Sequence, residues 1–171
     1  MNYNFSSVPK IFFGEGALKN AALELSGLGT KALIVTGKKI SKTGLTQEVQ
    51  NFLSSLKIES VIFNDLPGEP DDKMIMSGVQ VFKSENCDFI IGLGGGTPLD
   101  TAKAISAMSV LPGKMIDYKG KELNGNFAPL VLIPTTAGTG SEVTRYFVLQ
   151  IREQMRSCFI KVILFYQSLP S

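Results

Sequence analysis

Short apolar runs and longer stretches of helical spacing alternate along most of this chain. Residues 3–13 alternate apolar with polar positions, which predicts one or two short strands. The turn at Phe12-Phe13-Gly14-Glu15-Gly16 leads into a helix whose apolar positions are Ala17, Leu18, Ala21, Ala22 and Leu25. Gly27-Leu28-Gly29 stops it. Residues 31–36 (KALIVT) predict a short buried strand. Residues 44–56 keep helical spacing through Leu45, Val49, Phe52, Leu53 and Leu56, and 58–63 predict a third strand region. Pro67-Gly68-Glu69-Pro70 reads as a loop, after which Asp71 or Asp72 caps a helix with Ile75, Val79 and Phe82 on its apolar face. The last units are a strand over 89–93, a helix over 97–108, a polar loop over 112–127 and a buried strand over 130–134.

Apolar strands that alternate with helices of this length predict an α/β fold with a parallel sheet covered on both faces, the doubly wound architecture. Ligands of such sheets lie outside the carboxyl ends of the strands. Gly37, the turn of Gly94, Gly95 and Gly96, and the loop 135–139 all follow strands directly. The pattern therefore predicts that they converge on one edge and one site.

The chemistry of those loops is specific. Three successive glycines between an apolar strand and a helix start leave backbone amides bare, and the helix end adds partial positive charge. Thr97 contributes a hydroxyl and Asp100 sits in the first helical turn. A phosphate-bearing ligand is one reading; a tight strand-to-helix turn without ligand is the other. Neither Gly-x-G-x-x-Gly nor the Gly-Lys-Ser/Thr phosphate loop occurs. Between Pro134 and Glu142 stand the hydroxyls of Thr135, Thr136, Thr139 and Ser141 with Gly138 and Gly140. That density suits short hydrogen bonds to a ligand, or else a polar loop that caps a helix from Ser141. Gly37 falls where an acidic side chain would bond a ribose 2′-hydroxyl and repel a 2′-phosphate. Glycine does neither, and Lys38 and Lys39 follow it. This predicts tolerance of or preference for a 2′-phosphate, against the alternative of a plain strand-end glycine beside solvated lysines.

The chain has 171 residues, 44% apolar, with a net charge of +2 and opposite charges interspersed. That length and balance suit one domain and point to no nucleic-acid or membrane partner. Cys87 and Cys158 are too far apart in sequence to read as a ligand pair, and Cys87 reads as a core thiol. Neither a secretory leader nor a spanning helix is evident, so a cytoplasmic protein is expected. There is no histidine.

Together, Pro9-Lys10-Ile11-Phe12-Phe13-Gly14, Ala32-Leu33-Ile34-Val35-Thr36, the stretch from Ile91 to Ala104 and the stretch from Ile133 to Thr144 resemble the iron-containing (group III) alcohol dehydrogenases. The resemblance implies a Rossmann-like domain over 1–148 and an enzyme that moves hydride between NAD or NADP and a small alcohol or aldehyde. It implies that Gly95, Gly96 and Thr97, with Gly94, hold the pyrophosphate. Thr135, Thr136 and Thr139 would lie along the adenine and nicotinamide side, and Glu69 would match a loop position that touches cofactor in some members. Gly37 stands where NAD-preferring members commonly have aspartate. The nicotinamide dinucleotide is the implied partner, and a homodimer of the family's type is compatible with it. The family's all-helical second half, with its aspartate and three histidines for iron or zinc, has no counterpart here. No catalytic residue and no metal ligand are therefore assigned, and the lone chain is expected not to be a competent dehydrogenase. Two rival readings are a nucleotide-binding fragment without chemistry and a relative of glycerol dehydrogenase or dehydroquinate synthase.

Residues 149–171 depart from the family's text. Joining the last base of each codon to the first two of the next makes Phe165 into Tyr166 encode leucine, and Tyr166 into Gln167 proline or serine. The family carries Leu-Pro at about that distance. An out-of-frame tail is expected, against the alternative of a divergent strand or helix. Its segment 158–166 is apolar and reads as an aggregation liability.

Overall fold

The structure, a computed structural model, describes residues 10–119, 121, 123, 125–144, 147–151 and 156–158. Its centre is a four-stranded parallel sheet of β1 (Lys31–Thr36), β2 (Glu59–Phe63), β3 (Phe89–Gly94) and β4 (Leu130–Pro134), in the order β2-β1-β3-β4. The order reverses between β1 and β3, which makes the crevice at their carboxyl ends the topological switch point. Among the described residues five α-helices accompany the sheet: α1 (Ala17–Asn20), α2 (Ala22–Ser26), α3 (Gly44–Ser55), α4 (Asp72–Ser84) and α5 (Gly96–Met108).

Alternation along the strands divides the core in two. Leu33, Val35 and Ile90 pack with Ile75, Val79, Ile105 and Met108 of α4 and α5. Ala32, Ile34, Phe89, Ile91 and Leu93 pack with Leu25, Val49 and Leu53 of α2 and α3. Because both faces are covered, the strands need no polar face, which explains why they read as continuous apolar runs. Asp71 rather than Asp72 caps α4, its carboxylate accepting from the Met74 amide at 2.9 Å.

Helix α5 is buried from Pro98 to Met108. It lies hard on β3: a β-carbon placed on Gly92 would come within 2.9 Å of Leu132 Cδ2 and 3.0 Å of Ala102 Cβ. Met115, Leu123 and Phe147 belong to the same buried core. Residues 149–151 and 156–158 form a separate antiparallel ribbon, β5 (Leu149–Ile151) with β6 (Arg156–Cys158).

Several expectations change. Residues 10–13 form no strand, and the rest of that predicted segment lies outside the described residues. The first helix is broken at Ala21, whose φ of −84° and ψ of 3° leave helical geometry. Strand β4 is only half-buried, because among the described residues it is a sheet edge. A turn, closed by Val143 and Thr144 amides on the Gly140 carbonyl, stands where a helix from Ser141 was one alternative. Most of the apolar segment 158–166 lies outside the described residues.

The edge opposite the crevice is fastened by Asp88, which accepts from the amides of Thr30 (2.6 Å) and Lys31 (3.0 Å). Those bonds hold its carboxyl below the usual carboxylate range. A carboxyl that binds its proton less tightly when folded stabilises the fold above its unfolded pKa of about 4, and that contribution fades as pH falls through the folded value. Urea midpoints measured from pH 6 down to pH 2 should therefore fall less steeply for Asp88→Asn than for the parent. Cys87 is buried, and that burial pushes its thiol up to about 11, as a core thiol requires.

Candidate functional site

The carboxyl ends of β1, β3 and β4 meet as the hydrophobic pattern predicts. Thr36 of β1 pairs with Leu93 of β3, and Gly94 pairs with Pro134 of β4. The next step of the ladder, Thr135 amide to Gly94 carbonyl at 2.9 Å, ties the hydroxyl-rich loop to the glycine turn.

The three glycines serve different ends. Gly94 has φ of +144°, and a β-carbon there would sit 2.8 Å from Pro98 Cγ, so the turn itself demands glycine. Gly95 and Gly96 have no such backbone need. A β-carbon on Gly95 would lie 3.2 Å from Thr136 Oγ1; one on Gly96 would find ordinary contacts at 3.6 Å to Ser141 Oγ and 3.7 Å to Thr139 Cγ2. Their missing side chains leave bare backbone facing the hydroxyls of Thr136 and Ser141 and the methyl of Thr139.

Helix α5 begins at that backbone with no side-chain cap. Pro98 lacks an N–H, so the first-turn donors are those of Gly96 and Thr97, while Leu99 donates back to the Gly95 carbonyl at 3.3 Å. Two amides, the positive end of a helix of 13 residues and flanking hydroxyls are a donor set for an anion. Ser141, buried beside Gly96, belongs to this set, although its place in the sequence suggested a helix cap. The Thr139 hydroxyl also contacts Glu142 Oε2 at 3.3 Å.

Asp100 departs from its expected place among the ligand-facing groups. Its carboxylate points into the protein, with Oδ1 3.3 Å from Lys103 Nζ and Oδ2 accepting from the Val148 amide at 3.2 Å. Lys103 is 1% exposed and also reaches Thr144 Oγ1 at 3.4 Å. Burial lowers its pKa, and the Asp100 carboxylate opposes that shift. The pair fastens both ends of the segment 144–148 to α5.

At the β1 end, Gly37 opens into empty space: a β-carbon there would meet nothing within 4 Å. Its carbonyl accepts from the Ser41 amide at 2.9 Å. Next to it the Thr36 hydroxyl is buried without a partner among the described residues. An unsatisfied buried hydroxyl costs about 1–3 kcal/mol, so Thr36→Val should raise the urea midpoint of the free chain. A lower midpoint would show that the hydroxyl has a partner. Glu69 is exposed in the loop that follows β2 and precedes α4, and among the described residues no hydrogen bond ties it to the glycine turn.

Among the described residues no group of three His, Cys, Asp or Glu side chains lies together, and the sequence has no histidine. Nor is any described helix long and apolar enough to cross a membrane.

Comparison with known proteins gives the family and the fold. A family model described as iron-containing alcohol dehydrogenase matches residues 9–167. The NAD-dependent methanol dehydrogenase of Bacillus methanolicus is 40% identical over 148 residues, which are 85% of this chain and 39% of that protein. Among solved structures, a 1,3-propanediol oxidoreductase superposes with a TM-score of 0.88 at 33% identity, over 95% of this chain and 43% of its own. The sulfoacetaldehyde reductase of Bifidobacterium kashiwanohense, solved in complex with NAD+, gives a TM-score of 0.81 at 27% identity over 95% of this chain and 43% of its own. The chain thus spans well under half the length of these relatives.

Proposed function

The chain belongs to the iron-containing alcohol dehydrogenase family, and from that premise we propose that it is the nucleotide-binding part of such an enzyme. The ligand is NAD or NADP, with its pyrophosphate on the amides of Gly96 and Thr97. The observation that carries this reading is the bare backbone of Gly96, which the fold does not require and which faces Thr139 and Ser141, with Gly95 bare beside it against Thr136. The amides and helix end bind the charge, and the hydroxyls orient the ligand through short hydrogen bonds. Gly37 leaves room for the adenosine ribose at the β1 end. When bound, the nicotinamide ring would accept or donate hydride in the oxidation of an alcohol or the reduction of an aldehyde.

The residues present do not fit the iron of the family name. Nitrogen ligands from histidine are absent, and the described acidic groups are dispersed. The proposal therefore gives this chain cofactor binding and gives it no step of alcohol activation. An out-of-frame origin for residues 149–171 is a separate proposal. The base sequence over those codons decides it.

Titration with NADH tests the main reading through nicotinamide fluorescence, which no tryptophan of this chain obscures. Saturable binding displaced by ADP supports it, and absence of binding by both NADH and NADPH overturns it. Alcohol oxidation by the lone chain with added Fe(II) or Zn(II) would overturn the assignment of binding without catalysis.

A further inference from the structure

The structure gives the β1 end of the site an acidic group after all, supplied by a different strand. Strands β1 and β2 run in parallel register up to Val35 with Phe63, so Gly37 and Asp65 leave the sheet side by side. Lys38 Nζ lies 3.1 Å from Asp65 Oδ1. The loop that carries Lys38 is fixed at each step. The Ser41 amide donates to the Gly37 carbonyl at 2.9 Å, its hydroxyl donates to the Lys38 carbonyl at 3.0 Å, and Asn64 Nδ2 donates to that hydroxyl at 3.0 Å. A held loop, an empty space over Gly37 and a carboxylate paired with a lysine thus share one strand end.

We propose that Asp65, through its hold on Lys38, decides between NAD and NADP in this chain. The inference rests on the nucleotide reading above. A ribose 2′-hydroxyl can donate to the Asp65 carboxylate without disturbing the pair. A 2′-phosphate is repelled by Asp65 and gains Lys38 only by taking it away. Both partners are largely exposed, with side chains 62% and 75% accessible. Such an exposed pair is weak, so a phosphate dianion can displace it and the preference is graded, not absolute. Asp65 thereby does in part what an acidic residue at position 37 would do, and the openness of Gly37 alone does not set the choice.

Calorimetric titration of the full chain with NAD+ and with NADP+ at low salt tests this, using the parent, Asp65→Asn and Lys38→Met. In Asp65→Asn, NADP+ should bind about 3- to 10-fold more tightly while NAD+ changes by less than about twofold. Lys38→Met should weaken NADP+ by a similar factor, and in the double variant the Asp65→Asn gain should shrink to the part owed to direct repulsion of the 2′-phosphate. An unchanged NADP+ to NAD+ ratio in Asp65→Asn overturns the proposal and leaves the nucleotide reading standing. Equal weakening of both nucleotides overturns it too, because that marks a structural role for the pair. If the parent binds neither nucleotide, the nucleotide reading falls and this inference falls with it.

Discussion

Gly96→Ala should fold as the parent does and lose about 10- to 100-fold in nucleotide affinity, each factor of ten being about 1.4 kcal/mol. The added methyl meets Ser141 Oγ at 3.6 Å and Thr139 Cγ2 at 3.7 Å, ordinary contact distances that ask nothing of the fold. What it occupies is the space through which a phosphate reaches the first-turn amides of α5. Gly94→Ala should fail differently. Its φ of +144° and the 2.8 Å approach to Pro98 Cγ force the turn to move, at a cost of about 1–3 kcal/mol from backbone strain alone. Thermal unfolding and NADH titration of the two variants therefore separate. Gly96→Ala keeps the melting temperature and loses the ligand; Gly94→Ala loses both. If Gly96→Ala binds as the parent does, the phosphate does not sit on this turn.

That contrast shows what the sequence could and could not convey. The run of three glycines marks the turn, yet only Gly94 uses positive φ among them. Which glycine serves the backbone and which serves the ligand depends on Pro98, Thr136 and Ser141 in three dimensions. The strands were legible because burial on both faces leaves a local mark, an unbroken apolar run. The half-exposure of β4 was not, since edge position is a property of the sheet and not of Leu130-Val131-Leu132-Ile133-Pro134. The break at Ala21 carries no signal either, for alanine is the best helix former and the apolar spacing runs straight through it. Asp65 was unreadable because its partner Lys38 is distant in sequence, and only the β1–β2 register brings them together.

Asp100 and Lys103 illustrate the same limit with the larger energetic consequence. At spacing i, i+3 they look like a solvated helix pair worth a few tenths of a kcal/mol. In the fold the lysine is 1% exposed, on a helix buried from Pro98 to Met108. Lys103→Met should therefore cost about 3–5 kcal/mol, since it leaves the Asp100 carboxylate buried without its counter-charge. Asp100→Asn combined with Lys103→Met should cost less than the sum of the two single changes, the sign of a direct coupling. The lysine's own titration gives stability a pH dependence. Its pKa is lowered in the fold, so the folded state holds the proton less tightly than the unfolded chain does. Stability is then lowest where both states are protonated, and it rises as pH climbs from the folded value toward the unfolded value of about 10.4. Urea midpoints of the parent should show that rise relative to Lys103→Met, in which it cannot occur. The same variant should also weaken nucleotide binding beyond what its lost stability explains. Lys103 meets Thr144 and Asp100 meets the Val148 amide, so the pair holds down the segment that continues from the Thr136, Thr139 and Ser141 loop. Released on its C-terminal side, that loop would be held only through the Thr135 amide on the Gly94 carbonyl, and the entropy of ordering the rest appears as lost affinity.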